Sequence, residues 1–543
     1  MKVWVENNKA VVRCQYEEKE IVKAIGDYRF NKPTKTWVFP VRKLISIIDK
    51  LHIEYSPETY AIYERLVDER RAFHSKINLA EKIKKKEIPL AERLACGNNL
   101  YEHQARAVML GSLFDSYAFF METGTGKTLV AIRLIEHWNC KTLVIAPLST
   151  LEKVWEQEFK KWSELRVVNL WNNLKAVNDD YDVYVINYEQ FKKLHKDKNV
   201  AIEERFSAII IDESSKLKNN KSQITKTVLE YKEKIKHRVC LTGTPAPNNL
   251  MEYWGQMAFI NSELLSDNFY KFRNIYFFST GYDGLMYKPM AGAKEAIMDK
   301  VSQQAFSIRK EDCLDLPERV FEERIIYMDP PQARAYEEMF KDNVMQFKEH
   351  TTIGTNELAK LMKLRQVTAG FTITTQDMPV LISNTKITAL KELLEEIPEE
   401  KQVIIWCQFH WEIERLKKEF GDTAVTLYGA LPQREKNENI QTFLDGKARL
   451  LIGHPKSGGM GLNFQKNSNF MIWFSLSYSQ EEFSQACDRI YRSGQVNKCT
   501  YFILLARKKG IEGTKGRTID EIIYKVVLRK ASLMNACMEL LKG

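Results

Sequence analysis

A chain of 543 residues with 44% apolar and 11% aromatic side chains is long enough for roughly three or four domains and too apolar for a disordered polymer. Its 81 basic against 71 acidic residues leave +10 at neutral pH, a mild preference for a polyanionic partner. Nine cysteines without a C-x-x-C or a neighbouring His pair exclude a disulfide scaffold and a zinc site, and neither a signal peptide nor an apolar run of membrane-spanning length is present, so a cytoplasmic protein is expected.

In chain order, the first expected element is an alternating strand over KVWVENNKAVVRCQY. A helix, a hairpin through RFNKPTKTWVF and a helix from about Arg42 complete a small α+β module over 1–55. A charged helical linker, 56–97, follows; its lysine run at 82–86 reads as a solvated helix face. Between 98 and 255 the short apolar runs TLVIAP, YVINY, AIIIDE and VCLTGTP alternate with amphipathic helical patterns. Residues 256–385 differ: QARAYEEMFKDNVMQFKEH and NELAKLMKLRQVTAGF have helical spacing, with irregular loops near TGYDGLMYKPMAGAK. From 386 to 543 the alternation of short apolar runs and helices returns in VIIWCQF, AVTLYG, RLLIGHP, FMIWFS and YFILLA. Short, β-branched, unalternating runs between helices indicate parallel strands buried on both faces. Two successive doubly wound α/β domains are therefore expected.

The chemistry begins at METGTGKT, which follows the apolar AFF and precedes the helical LVAIRLIEHW. Strand, glycine turn and helix form the context that a phosphate loop requires. Gly124 and Gly126 let backbone N–H groups approach phosphate, with Thr123 and Thr125 between and before them, and the helix N-terminus adds its dipole. Lys127 is expected to reach the β/γ-phosphates of ATP and Thr128 to ligate Mg2+; Met121 stands in place of the first glycine. In AIIIDESS, Asp212 ends a buried strand and can hold Mg2+, while Glu213 can orient or activate the attacking water. QACDRIYRSGQ reads as helix and sets Arg489 and Arg492 three apart on one face. If the two α/β domains face each other across ATP, these arginines stabilise the charge that develops on the γ-phosphate, and the cleft becomes a motor.

These motifs, in this order, resemble the Swi/Snf group of superfamily-two helicase-like translocases over about residues 98–530. LYEHQARAV is similar to the adenine-reading Q motif, with Gln104 its glutamine and His103 where the family usually has Tyr. VIAPLSTLEKVWEQEFKKW resembles motif Ia, DESSKLKN motif II with Ser215 in place of His, and LTGTPAPN motif III. SIRKEDCLDLPE and LMKLRQVTAGF resemble the group's inter-domain insertions. VIIWCQF, LYGALPQREKNENIQTF and HPKSGGMGLNFQ resemble motifs IV, IVa and V, and QACDRIYRSGQ fits motif VI. The resemblance implies two RecA-like parallel-sheet domains with a helical insertion and ATP hydrolysis dependent on double-stranded or branched DNA. By that likeness Gly461 and Gln485 join the nucleotide site, and Thr242 and Thr244 couple it to DNA. Pro147, Leu148, Ser149, Lys218, Gln408, Phe409, Lys456 and Ser457 contact DNA. The compact size and the wording of motif V are most similar to bacteriophage or prophage members, which act in the bacterial host cytoplasm. Residues 1–55, with YRFNKPTKTWVFP, resemble the HARP-type domain of annealing helicases, against the alternative of a structural cap.

A strand-separating DNA or RNA helicase shares the same ATPase core, so the phosphate loop does not discriminate; SIRKEDCLDLPE favours duplex translocation. A nucleotide-gated clamp that binds DNA without stepping would not need Glu213 and both arginines.

Overall fold

The computed structural model describes residues 1–90, 100–197, 199–280, 286–342, 344–347, 350–353, 357–457, 463–509 and 518–542. It comprises two units, Met1–Ile88 and Pro89–Gly543.

In the amino-terminal unit the expected single strand is two, β1 (Lys2–Glu6) and β2 (Lys9–Arg13), paired antiparallel with Glu6 opposite Lys9. Asn7 and Asn8 break it because both adopt positive φ, 48° and 58°, the geometry of a tight hairpin turn that Asn tolerates better than other side chains. Strands β3 (Arg29–Asn31), β4 (Thr36–Pro40) and the short β5 (Glu54–Tyr55) complete a sheet of order β3-β4-β2-β1-β5. Its core holds Val3, Val12, Val22, Trp37, Phe39, Leu44 and Ile47. The long helix Pro57–Lys84 starts at Ser56, whose Oγ accepts from the Thr59 N–H, and lays Ile62, Tyr63 and Leu66 against that core. The opening turns of the expected linker thus fold with the module. Lys84, read as solvated, is buried and paired with Glu81 at 3.0 Å, and burial lowers its pKa.

The second unit is built on two fully parallel sheets, whose surrounding residues are called the first and second lobes. The first sheet uses β6 (Ser116–Met121), β7 (Thr142–Ala146), β8 (Val167–Asn169), β9 (Val183–Asn187), β10 (Ala208–Asp212) and β11 (His237–Leu241). After the hairpin of β12 (Phe277–Thr280) and β13 (Met286–Pro289), the sheet is completed by β14 (Ala305–Ile308), giving the order β14-β6-β11-β10-β7-β9-β8. Strand β14 therefore adds to the first sheet a piece of the segment expected to form the helical insertion. Its flank does likewise: Met257, Phe259, Ile297 and Val301 are buried in the first core. The next strand, β15 (Arg319–Tyr327), belongs to the other sheet. The helix expected through residues 332–350 stops at Asp342, and a hairpin of β16 (Val344–Phe347) and β17 (His350–Ile353) follows. A helix does form over Glu357–Thr368, ahead of a small pair, β18 (Phe371–Ile373) and β19 (Pro379–Leu381). Strands β20 (Gln402–Trp406), β21 (Ala424–Leu427), β22 (Leu450–Gly453), β23 (Ser468–Trp473) and β24 (Cys499–Arg507) form the second sheet, order β15-β24-β23-β20-β22-β21.

Strands buried on both faces supply their own explanation: every residue of β7, β9 and β22 is buried, and such strands carry Val, Ile and Leu without alternation. Among the described residues no helix is long and apolar enough to cross a membrane.

Candidate active site

The phosphate loop leaves the C-terminal end of β6 and enters the helix Lys127–Trp138. Gly126 sits at φ +88°, where the backbone favours glycine, and a Cβ there would lie 2.0 Å from Gln104 Nε2 and have to displace that amide. Gln104 bonds both this loop and its own helix: Nε2 donates to Thr125 O at 3.1 Å and Oε1 accepts from Tyr101 N at 3.0 Å. His103 Nε2 also meets Thr125 O, at 2.8 Å, and burial lowers its pKa. The Q-motif pair thus holds the loop. Lys127 Nζ donates back to Met121 O at 2.8 Å and Glu122 O at 3.2 Å. Burial pulls the Lys127 pKa down, and the charges of Glu213 and Asp212 pull it up. Thr123 packs on motif III: a Cβ on Gly243 would meet Thr123 N at 3.1 Å and Met121 O at 3.3 Å. The neighbouring Thr242 accepts from Thr244 N through Oγ1 at 3.1 Å, and Thr244 Oγ1 is buried with no hydrogen-bond partner among the described residues.

Asp212 and Glu213 end β10, two strands from β6 with β11 between them. Trp155 Nε1 donates to Asp212 Oδ2 at 2.9 Å, and the Glu213 N–H donates to Oδ1 at 3.0 Å. Tyr188 Oη donates to the Asp212 carbonyl at 2.5 Å. Glu213 has φ 51°, an uncommon left-handed conformation for a side-chain-bearing residue and one that concentrates at functional sites. Burial raises both carboxyl pKa values; Glu213, with Asp212 and Glu481 beside it, is pushed up to about 7. A buried carboxylate pair that burial disfavours as anions is a donor set whose charge a divalent cation would stabilise, so Asp212 and Glu213 have the chemistry to fit Mg2+; Thr128 lies in the first turn of the helix Lys127–Trp138. Trp155 and Tyr188 escaped the sequence reading. A tryptophan in the motif Ia flank was its one trace, since a buried indole N–H needs a partner.

The arginine pair departs from expectation. The helix Gln480–Cys487 ends before either residue, so three-residue spacing no longer puts them on one face. Arg489 turns into the second lobe, donating to Pro455 O at 2.7 Å over the Trp406 ring, and burial lowers its pKa to about 10. Arg492 goes the other way. Its Cβ is 3.6 Å from where a Cβ on Gly124 would stand, and its guanidinium meets Asn463 Oδ1. The structure therefore brings Arg492, and not Arg489, to the phosphate loop. Gln485 stays on the preceding helix, and Gly461 lies outside the described residues.

The residues expected to meet DNA follow the C-terminal ends of β7, β10, β20 and β22. Leu148 and Ser149 are exposed, while Pro147 is buried. Lys218 Nζ pairs with Glu481 Oε2 at 3.3 Å, joining the first lobe to the second. Gln408 Nε2 donates to Glu482 Oε1 at 2.9 Å, and Lys456 Nζ lies 3.6 Å from Glu482 Oε2. Phe409 stands edge-on to Phe371, and Ser457 N bonds His454 O at 2.9 Å. Two adjacent glutamates thus collect three of the eight expected DNA contacts, a convergence that no sequence motif marked.

Compared with known proteins, residues 101–371 match the SNF2-related domain and residues 385–494 the helicase conserved C-terminal domain. The chain is 27% identical over 454 residues to protein p41 of Acyrthosiphon pisum secondary endosymbiont phage 1, covering 77% of this chain and 93% of that one. It is 24% identical over 437 residues to an uncharacterized ATP-dependent helicase of Mycoplasma pneumoniae, covering 76% of this chain and 39% of the relative. The nuclear protein STH1/NPS1 of Saccharomyces cerevisiae is 25% identical over 525 residues, 86% of this chain and 37% of that one. The chain thus spans most of the phage relative but well under half of the other two. Among solved structures, the Sulfolobus solfataricus SWI2/SNF2 ATPase core in complex with dsDNA is 25% identical, with a TM-score of 0.39 over 82% of this chain and 94% of that one.

Proposed function

The chain belongs to the SNF2-related family of helicase-like ATPases, and we propose that it is an ATP-driven translocase on double-stranded DNA. One observation carries the reading: Arg492, from the second lobe, stands against Gly124 of the phosphate loop in the first. Split sites of this kind couple cleft closure to nucleotide. Lys127, now bonded to its own loop, swings to the β/γ-phosphates when ATP arrives. Thr128 and Asp212 would hold Mg2+, which would offset phosphate charge. Glu213 accepts the proton of the attacking water, and Arg492 stabilises the negative charge that develops on the transferred phosphoryl group. Trp155 and Tyr188 keep the Asp212–Glu213 turn in place.

Duplex DNA runs across the C-terminal strand ends, gripped at Leu148, Ser149, Lys218, Gln408, Phe409, Lys456 and Ser457. Backbone contacts of this type are nearly sequence-blind, and each neutralised phosphate steepens the log–log salt dependence by about 0.9. The amino-terminal unit biases the motor toward forks or branched DNA, for annealing or branch migration. With a phage relative covered almost end to end, we place this action in the cytoplasm of a bacterial host.

The test is steady-state ATPase with single-stranded, duplex and forked DNA and with RNA, alongside triplex displacement and unwinding of a tailed duplex. Duplex-stimulated hydrolysis with triplex displacement and little unwinding is expected. Efficient unwinding without triplex displacement means a strand-separating helicase, and DNA binding without stimulated hydrolysis means a clamp. Because the helix Pro57–Lys84 completes the amino-terminal core, the fork bias is tested by removing residues 1–88 together. Duplex-stimulated ATPase should persist and fork preference fall; unchanged fork activity would make the unit a cap.

A further inference from the structure

Lys310 follows β14, the edge strand of the first sheet, and only 2% of it is exposed. Burying an ammonium is costly unless it is paired, and an apolar side chain would serve packing at least as well. Its carbonyl accepts from Cys313 N and Leu314 N in the local turn, while its N–H and its ammonium both reach functional segments. The Lys310 N–H donates to Glu122 Oε2 at 3.0 Å, and Glu122 N donates to Ile308 O at 3.1 Å, so the start of the phosphate loop is tied to this chain in both directions. Lys310 Nζ forms an ion pair with Asp488 and donates to Tyr491 O at 3.1 Å, both in the second lobe. Arg319 covers the same tyrosine, its guanidinium 5.0 Å from the ring centre. A Cβ built on Gly124 would lie 4.0 Å from Lys310 Cε and 3.6 Å from Arg492 Cβ. Lys310 and Arg492 therefore stand at the same point of the loop, and Asp488–Tyr491 is the stretch that leads into Arg492.

We propose that Lys310 is a positioning residue: its ion pair with Asp488 and bond to Tyr491 clamp the turn 488–492 onto the phosphate loop and so deliver Arg492 to the transferred phosphoryl group. This rests on Arg492 being the transition-state arginine. The phosphate loop, the strand-end chain at Lys310 and the arginine turn then form one mechanical unit spanning the cleft. Glu122, at the loop's base, registers its closure.

The experiment measures kcat and KM for ATP with duplex DNA, together with melting temperature, for Lys310→Met, Asp488→Asn, their double variant and Arg492→Ala. Misplacing a reacting group by about 1 Å costs about a hundredfold in rate, so each single variant should lose about that in kcat, with KM for ATP within a few-fold. The double variant should be no slower than the slower single, because both changes break one contact. A double variant slowed by the product of the two factors would show independent effects and overturn the proposal. Asp488→Asn is nearly isosteric but removes the carboxylate charge of the ion pair, so it decides the matter if Lys310→Met fails to fold: unchanged kcat refutes the clamp. If Arg492→Ala loses kcat while Asp488→Asn keeps it, this inference alone fails. If Arg492→Ala keeps its kcat, the arginine reading beneath it fails as well.

Discussion

Replacing Gly126 by alanine probes how the phosphate loop is held. At φ +88° a side-chain-bearing residue pays roughly 1–2 kcal/mol for left-handed backbone. The new Cβ, 2.0 Å from Gln104 Nε2, also expels that amide. Gln104 then gives up its bonds to Thr125 O and from Tyr101 N, each about 1 kcal/mol. To bind phosphate the loop must recover its native shape, so the sum of about 3–4 kcal/mol weakens ATP by about 10²- to 10³-fold. With Gln104 already changed to alanine, the amide is absent and only the backbone term remains, about tenfold at 1.4 kcal/mol per decade. Titration of a fluorescent ATP analogue into Gly126→Ala, Gln104→Ala and the double variant measures both factors. An equal loss from Gly126→Ala in the two backgrounds would refute the account of Gln104 as the loop's support.

Lys127→Ala and Glu213→Gln should both abolish phosphate release in the presence of DNA, the first with weakened ATP binding and the second with ATP retained; hydrolysis surviving in either rejects the site. Trp155→Phe keeps the buried ring but removes the N–H donated to Asp212, a charge-assisted bond of roughly 1.5–3 kcal/mol, so kcat should fall about 10- to 100-fold. Full activity in that variant would leave Trp155 as packing only. Arg489→Met should lower the melting temperature by about 4–8 °C, from the roughly 2 kcal/mol of its charge-assisted bond to Pro455 O; calorimetry showing no change would contradict the packing role.

The strands were legible where burial on both faces forces composition. TLVIA of β7 and AIIID of β10 carry no solvent side, so nothing else fits them. Reading failed where a strand is short or lies at an edge. AFSI of β14 is four residues without a β-branched run, and its place beside β6 depends on a chain reversal through β12 and β13. Strand β15 alternates, as a half-exposed edge does, and so blended into a charged, helix-like segment. The place of Gly124 and Lys127 in a strand–turn–helix, and of Asp212 at the end of a buried strand, was legible because those local patterns are fixed by composition and spacing. The arginine pair was legible in identity but not in direction, because spacing predicts direction only while a helix lasts, and this one ends at Cys487. Lys310, Trp155 and the two glutamates act through partners distant in sequence, which local patterns do not record.

On the proposed DNA path, Glu481 and Glu482 would give the strand-end surface an ion-exchange character. Lys218, Gln408 and Lys456 face carboxylate oxygen, so on that path an arriving backbone would displace one anion with another rather than fill a bare cationic slot. The free energy of grip would then be a difference between two attractions of like kind, and letting go would need only the return of the resident carboxylates. For a motor of the proposed kind, which must release each phosphate as readily as it takes the next, such near-balance would be an asset.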